Sequence, residues 1–441
     1  MPEFSPSTLP RRLGVWTATA IVLGITIGSG IFRVPGSVAQ HVDTVGAMAL
    51  LWVLGGVIIL CLALSLAELA TMFPRPGGVI VFVREAYGPL MAFLFGWTFL
   101  WINPASWAAI SLIFAEYLGH FVPLTDFGRR LVAATLIALI TLANYYSVPI
   151  AAMVQNIATS AKALALLSLA VGIFLLGSGI DGALAAPISF EIRDVGGFGL
   201  ALILVLFAYE GAAAFCALSG EIREPSRALP QSLVVGMLAV IVLYLFANAA
   251  YLFALPIDAL KTSGLVAADA MTRTAGSSAA NLVSALVMLS TFGAVAATAM
   301  ADPRVFYAMA QEKLFFRGLG RVRPRSETPH VAILVAGAIA ILYVMVRGFE
   351  QLATGFILGL WPFYALAVLG VIVLRIRQPE LPRPYRVLGY PAVPLIFFAA
   401  SLFILGNALI EQPGITVLNV GLTLSGIPVY YIWRVSTRNK A

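Results

Sequence analysis

Gly24-Ile25-Thr26-Ile27-Gly28-Ser29-Gly30-Ile31-Phe32-Arg33-Val34-Pro35-Gly36 interrupts the first long apolar segment of the chain with glycines. The apolar run leading into it, Gly14 to Ile27, covers 14 residues, whereas a helix needs about 20 to cross a hydrocarbon core of about 30 Å. Gly28, Ser29 and Gly30 each weaken helix propensity by roughly 0.5–1 kcal/mol, so the helix is expected to break there, part-way across. Backbone amides freed at membrane depth are tolerated only where protein or a water-filled cavity satisfies them. A bound substrate can do the same, because the positive end of the second half-helix faces whatever carboxylate lies at the break. Read alone, the same residues equally fit a small-residue surface for close helix packing. A second break later in the chain tips the balance.

The rest of the composition agrees with a membrane setting. Hydrophobic residues make up 61% of the chain and charged residues 11%, against about 25% charged in soluble domains, which makes this an all-α polytopic membrane protein. About twelve helices of roughly 22–25 residues fit between Leu13 and Trp433 with short loops. The first 12 residues lack an apolar core with a small-residue cleavage site, so the first helix is expected to act as the insertion signal. Cys61 and Cys216 fall inside apolar segments and His41, His120 and His330 sit near segment ends. That pattern offers no disulfide framework, metal-ligand spacing or His-based dyad, and it argues against a membrane-embedded enzyme. No phosphate loop is present, no cofactor is expected, and transport must draw on gradients or exchange.

The net charge of +7 does not point to nucleic acid once the charges are located. With a cytoplasmic N-terminus, 19 of the 27 Lys and Arg fall inside. Six fall outside (Arg129, Arg130, Arg193, Lys261, Arg273 and Arg347) and two, Arg33 and Lys162, within membrane segments. This inside excess predicts cytoplasmic termini. The spans read as Leu13–Gln40 with its break, Val45–Leu69, Ile80–Leu118 with an interfacial stretch before Pro89, Arg130–Tyr145 and Ile150–Leu176. They continue as Phe198–Leu218, Ser232–Leu255, Asn281–Ala308, Val331–Val346, Leu352–Leu374, Pro391–Ile410 and Ile415–Trp433. Residues 257–276 read as an outside amphipathic stretch, and Trp433 as an interfacial anchor. In segment 6, Gly211 beside the ionisable Glu210 marks the second break, although the alanines that follow are strong helix formers. It lies five segments after the first. If segments 1–5 repeat as 6–10, an odd number of crossings inverts the second copy and brings the two breaks together near the midplane.

Six motifs in order carry a likeness to a known family: Gly28 to Phe32 (GSGIF), Phe73 to Gly78 (FPRPGG), Gln155 to Lys162 (QNIATSAK), Gly220 to Pro230 (GEIREPSRALP), Ser290 to Ala294 (STFGA) and Arg383 to Pro394 (RPYRVLGYPAVP). With these, nearly the whole chain resembles the amino acid, polyamine and organocation transporter superfamily, and within it bacterial L-amino-acid transporter-type exchangers. The resemblance implies a five-plus-five inverted repeat with discontinuous helices 1 and 6 and two extra helices. The divisions are a tail (1–12), helices 1–5 (13–176), an external loop with helices 6–10 (177–375), and helices 11–12 with a tail (376–441). It implies sodium-independent exchange of neutral L-amino acids by alternating access in the bacterial cytoplasmic membrane. The amino acid carboxylate is expected on the amides of Gly28, Ser29, Gly30 and Ile31. The ammonium is expected on Thr26, Ile27, Phe207, Ala208 and Glu210, with Phe207 closing over the ligand. Opposed half-helix ends offer an anion site and a cation site without charged side chains. The alternative for Phe207 is packing.

Lys162 lies about 18 Å along segment 5 from Ile150 at 1.5 Å per residue, near mid-membrane, where a charge is a functional candidate by default. The resemblance implies that it links segments 5, 1 and 8 in place of a sodium ion, with Ser290 as partner. Proton-coupled symport, with Glu210 or Lys162 titrating, stays open as an alternative, as does a purely structural lysine. Ala212, Ala213 and Ala214 stand where relatives often carry a Trp or a polar residue, which leaves either room for a larger apolar substrate side chain or volume that a backbone shift fills. Arg33 stands where many relatives are apolar and reads as a snorkelling or vestibule residue. Glu68 and Glu116, near segment ends, read as solvated or paired in loops. Expected partners are the amino acid and membrane lipid; a partner subunit is left open.

Overall fold

A computed structural model of the chain describes residues 13–75, 77–146, 166–177, 189–311, 314–316, 318–323 and 328–438. Apart from one bridge between Leu13 and Ile222, the regular structure among these residues is helical. The first span is α1 (Val15–Thr26) and α2 (Gly30–His41), bent by 45° at Ile27–Ser29. α3 (Val45–Met72) follows, with the Thr44 hydroxyl accepting from the Ala47 amide at 3.2 Å as an N-cap; such caps contribute about 1 kcal/mol. The expected interfacial stretch before Pro89 is a separate helix, α4 (Val79–Tyr87). The span after it is divided at Asn103 into α5 (Pro89–Ile102) and α6 (Pro104–Leu118), because Pro104 has no N–H to continue the hydrogen-bond ladder.

α7 (Asp126–Tyr146) and α8 (Leu166–Leu176) precede the second divided span. That span is α9 (Val195–Tyr209) and α10 (Ala212–Cys216), separated by Glu210 and Gly211. The Asp194 carboxylate caps α9, accepting from Gly196 and Gly197 amides at 2.9 Å each. α11 (Pro225–Ala254) begins seven residues earlier than the hydropathy of segment 7 indicates, since Pro225 occupies the first helical position, where its missing N–H costs nothing. The amphipathic stretch forms two short helices, α12 (Ile257–Thr262) and α13 (Val266–Ala275). α14 (Ser277–Gln311), α15 (His330–Val346), α16 (Phe349–Arg377), α17 (Ala392–Glu411) and α18 (Pro413–Arg438) complete the chain. Among the described residues eight spans are long and apolar enough to cross a membrane, and the bent α1–α2 pair makes a ninth. The expected twelve would further require α7, α8 and α15.

Three of the six motifs meet at the end of the molecule where α1 begins, called here the N-terminal face. The Leu13 amide donates to Glu221 O at 3.1 Å and the Arg223 amide to Leu13 O at 2.8 Å, tying the start of α1 to the segment after α10. The turn at Phe73–Gly78 docks on the end of α10: Gly77 and Gly78 have φ of +122° and +57°, and a Cβ on Gly78 would lie 2.9 Å from the Ala217 amide nitrogen. Glu68 is neither solvated nor in a loop. It is fully buried and accepts from Arg375 Nε and Nη2 at 2.9 and 2.6 Å and from the Val387 amide at 2.6 Å. Its pairing therefore joins α3, α16 and the 378–391 loop in one bidentate, charge-assisted contact.

Candidate functional site

The two breaks touch. A Cβ added to Gly30 would lie 2.9 Å from Ala208 Cα, and one added to Gly211 would lie 2.2 Å from Thr26 Oγ1 and 2.9 Å from Thr26 Cα, so each glycine is the space in which the other break's backbone sits. Tyr244 of α11 pins the junction, its hydroxyl 2.9 Å from Thr26 O and 3.2 Å from Ala208 O. The Tyr244 ring packs with Trp52 and Tyr209, centroids 5.0–5.8 Å apart, and the Tyr209 hydroxyl donates to Trp52 O at 3.2 Å. The one Tyr244 hydroxyl proton is shared between the two carbonyls, so a packed aromatic cluster holds both unwound segments.

At the first break the Gly28 amide is taken by Thr26 O at 2.7 Å. The amides of Ser29, Gly30 and Ile31 have no acceptor among the described residues, as expected for the first N–H groups of a helix. They form a concentrated anion-binding end. At the second break the Glu210 amide donates to Phe207 O at 3.4 Å. The carbonyls of Phe207 and Ala208 thus each have one protein donor and one lone pair to spare, whereas Thr26 O meets both the Gly28 amide and the Tyr244 hydroxyl.

A cavity of about 190 Å³ opens against these groups, lined by Ile25, Thr26, Gly28, Ser29, Gly30, Phe207, Ala208 and Glu210 from the breaks. Ile27 and Ile31, also assigned to the site, are buried and do not line it. The cavity extends along α5 and α14 toward Gly77, Val79 and Ala217, hence toward the N-terminal face. On the opposite side it is closed by Phe207, whose ring meets Phe349 and Phe356 edge-on at 5.9 and 5.8 Å. Phe349 in turn lies under the Arg33 guanidinium, 5.3 Å from its centroid.

Arg33 and Glu116 depart from their expected settings. Arg33 does not snorkel and Glu116 is not in a loop: Arg33 Nε donates to Glu116 Oε2 of α6 at 3.0 Å and Nη1 to Ser37 Oγ at 2.8 Å. Beside them the Tyr117 hydroxyl donates to Phe32 O at 3.0 Å. The seal on this side of the cavity therefore has an aromatic layer and, beyond it, an ion pair joining α2 to α6.

Asp302 is the feature that the motif reading passes over. It lies in α14 on the face formed by Thr298, Ala301, Asp302 and Val305, all of which line the cavity, and its Oδ2 accepts from Asn103 Nδ2 and from Trp107 Nε1, the latter at 2.8 Å. The signal was present, since an ionisable residue deep in an apolar segment is a functional candidate. Sorting basic residues by side leaves acidic ones out. Across the cavity Glu210 Oε1 accepts from the Tyr364 hydroxyl of α16 at 3.1 Å. Ser290 does not line the cavity; it is buried and its hydroxyl has no partner among the described residues. Lys162 and the rest of its motif lie outside the described residues.

A broken pair of helices with free amides and open carbonyls facing one cavity, closed by an aromatic layer on one side, is the arrangement of a transport site. The family described as amino acid permease matches residues 13–432. The chain belongs to the amino acid permease family. The permease is 31% identical over 427 residues to the serine/threonine exchanger SteT of Bacillus subtilis (strain 168), which spans 96% of this chain and 97% of that protein. It is 32% identical over 441 residues to the human b(0,+)-type amino acid transporter 1, covering 98% of this chain and 89% of the relative. It is also 33% identical over 440 residues to the mouse large neutral amino acids transporter small subunit 2, covering 96% and 81%. The permease is a multi-pass membrane transporter and not an enzyme, and its substrate is an amino acid.

Proposed function

We propose that this permease is a sodium-independent exchanger of neutral L-amino acids that works by alternating access in a bacterial cytoplasmic membrane, with both termini cytoplasmic. The observation that carries the reading is the contact of the two breaks over one cavity. The amides of Ser29 and Gly30 receive the substrate carboxylate, while the spare lone pairs of Phe207 and Ala208 and the Glu210 carboxylate receive its ammonium. Phe207 closes the outer side. The N-terminal face is then cytoplasmic, and the conformation is closed outside and open toward the cytoplasm. The name of the Bacillus relative, a serine/threonine exchanger, and that of the mouse relative, a transporter of large neutral amino acids, support exchange and neutral substrates.

Lys162 serves as a fixed cation bridging segment 5 to segments 1 and 8, with the hydroxyl of Ser290, which has no partner among the described residues, as its partner on segment 8. With that charge built in, the cycle needs no sodium. The test is uptake of labelled threonine into liposomes holding the purified permease: unlabelled threonine inside should accelerate uptake, with or without sodium. Equal uptake by empty and threonine-loaded liposomes would refute exchange. Proton-coupled symport is the second reading, favoured by the two carboxylates, Glu210 and Asp302, that line the cavity. An inward proton gradient, with the potential clamped and no amino acid inside, should drive concentrative uptake only if that reading holds.

A further inference from the structure

We propose that the groove between α15, α16 and α18, at the end of the molecule opposite the N-terminal face, binds one anionic phospholipid, its phosphate on Arg347 and one acyl chain lying toward Leu422. The site is separate from the cavity at the breaks and does not depend on the exchanger reading.

The groove has a polar end and an apolar end. Arg347, the residue after α15, and Gln351, in the first turn of α16, line the polar end. Ile102, Ala105 and Leu352 are buried and form the floor, and Leu418 and Leu422 of α18 form a wall. Leu422 stands nine residues past Pro413, the start of α18, so the apolar end lies about 13 Å deeper at 1.5 Å per residue. The enclosed volume is about 30 Å³, roughly one water molecule's share of the liquid. An occupant therefore lies along the groove and not inside it. Leu342 and Val346 of α15 and Val417 of α18 are exposed beside it, as side chains facing lipid tails are.

Arg347 is not used by the protein around it. The last carbonyls of α15 are served by a different arginine, with Arg130 Nη1 donating to Val344 O at 3.3 Å and to Met345 O at 2.6 Å. The Arg347 guanidinium has no hydrogen-bond or ion-pair partner among the described residues. Gln351 Oε1 accepts from the Gly348 amide at 3.3 Å, which leaves its Nε2 as a second donor. Two donors where the helices end are at the level of lipid headgroups, and a guanidinium matches a phosphate with two parallel N–H groups. No aspartate or glutamate is among the described residues that line the groove, and Glu350, three positions from Arg347, is not one of them. A zwitterionic headgroup would bring a cation that nothing there receives, so the charge selects an anionic lipid. A lipid so held bridges three helices and braces the first turn of α16, where Phe349 of the aromatic layer stands.

Purified permease stripped of lipid in a neutral detergent, then titrated with phosphatidylglycerol, phosphatidylcholine or inorganic phosphate, tests the inference. Native mass spectrometry counts bound lipid and thermal unfolding reports stability. The wild type should retain phosphatidylglycerol in preference to phosphatidylcholine and unfold at a higher temperature with it. Arg347→Gln should bind phosphatidylglycerol at least about tenfold more weakly, since a hydrogen bond between charged groups is lost, and Arg347→Lys should recover part of that loss. Leu418→Trp, at an exposed position, keeps the guanidinium and fills the groove, and should weaken binding as well. Equal retention of phosphatidylglycerol by the wild type, Arg347→Gln and Leu418→Trp would overturn the inference, as would equal retention of the two lipids by the wild type. Stabilisation by inorganic phosphate as large as that by phosphatidylglycerol would make Arg347 a free-anion site and refute the assignment to lipid.

Discussion

Gly28 and Gly30 carry the same side chain and face opposite demands. A Cβ on Gly28 meets only Thr26 O, at an ordinary 3.8 Å, whereas a Cβ on Gly30 meets the backbone of Ala208 at 2.9 Å. Gly28→Ala should therefore keep most of the exchange rate. Gly30→Ala must push the two breaks apart, and overpacking of this kind typically costs about 1–3 kcal/mol. Thermal unfolding of the detergent-solubilised protein should place Gly30→Ala several degrees below Gly28→Ala, with exchange lost in the first and retained in the second; the reverse order would show that the breaks do not touch through Gly30. The glycine run is legible from the sequence as a helix break only together with the second break at Glu210 and Gly211, since three weak helix formers alone fit close packing equally well. That one of them is a spacer for a backbone 178 residues away in the chain is not, since nothing local to either glycine reports it.

At the scale of elements, the seal opposite the N-terminal face is the part with a measurable switch. The Arg33–Glu116 pair joins α2 to α6 with side chains 13% and 20% exposed, and a hydrogen bond between charged groups in such a setting is worth about 1.5–3 kcal/mol. If the pair exists only while that side is closed, Arg33→Met or Glu116→Gln should raise the open fraction roughly tenfold to hundredfold. A cysteine at Ser37, with Cys61 and Cys216 replaced, should then be labelled correspondingly faster by an impermeant thiol reagent in either variant; unaltered labelling would mean that the pair does not bias the seal. The two residues lie 83 positions apart, which is why the sequence assigns them separately to an interface and a loop. Helix positions, set by long apolar runs, were readable to within a few residues. The early start of α11 was missed because prolines in a first turn look like a loop when only propensity is weighed.

For the molecule as a whole, the distribution of basic residues still governs orientation. The excess of Lys and Arg on the side of the N-terminal face predicts that this face is cytoplasmic. Gly318→Cys, an exposed position in the basic loop between α14 and α15, should react with a membrane-impermeant maleimide only in inverted vesicles once Cys61 and Cys216 are removed. Reaction in intact cells would reverse the orientation and, with it, the side from which the cavity is entered. The convergence of the two breaks was legible as an odd-numbered repeat of glycine-marked segments. The identity of the acid on α14 was not, because its meaning comes from Asn103 and Trp107 on another span.

The seal over the cavity is made of phenylalanine rings, and water must wet them whenever it parts. Exposing about half of three such rings, each about 150–250 Å², at about 0.45 cal/mol/K per Å² gives the opening step a positive heat capacity of roughly 0.1–0.2 kcal/mol/K. A step of that kind has no single activation enthalpy. Between 5 and 45 °C the exchange rate of the wild type should trace a curved Arrhenius plot in liposomes whose lipid has no phase transition in that range. Phe349→Ala should straighten it by removing part of the surface to be hydrated, and a plot equally straight in both proteins would mean that parting of the rings does not limit turnover. Temperature, then, sets the pace of this permease through the hydration of its hydrocarbon cover as well as through the strength of its grip on substrate.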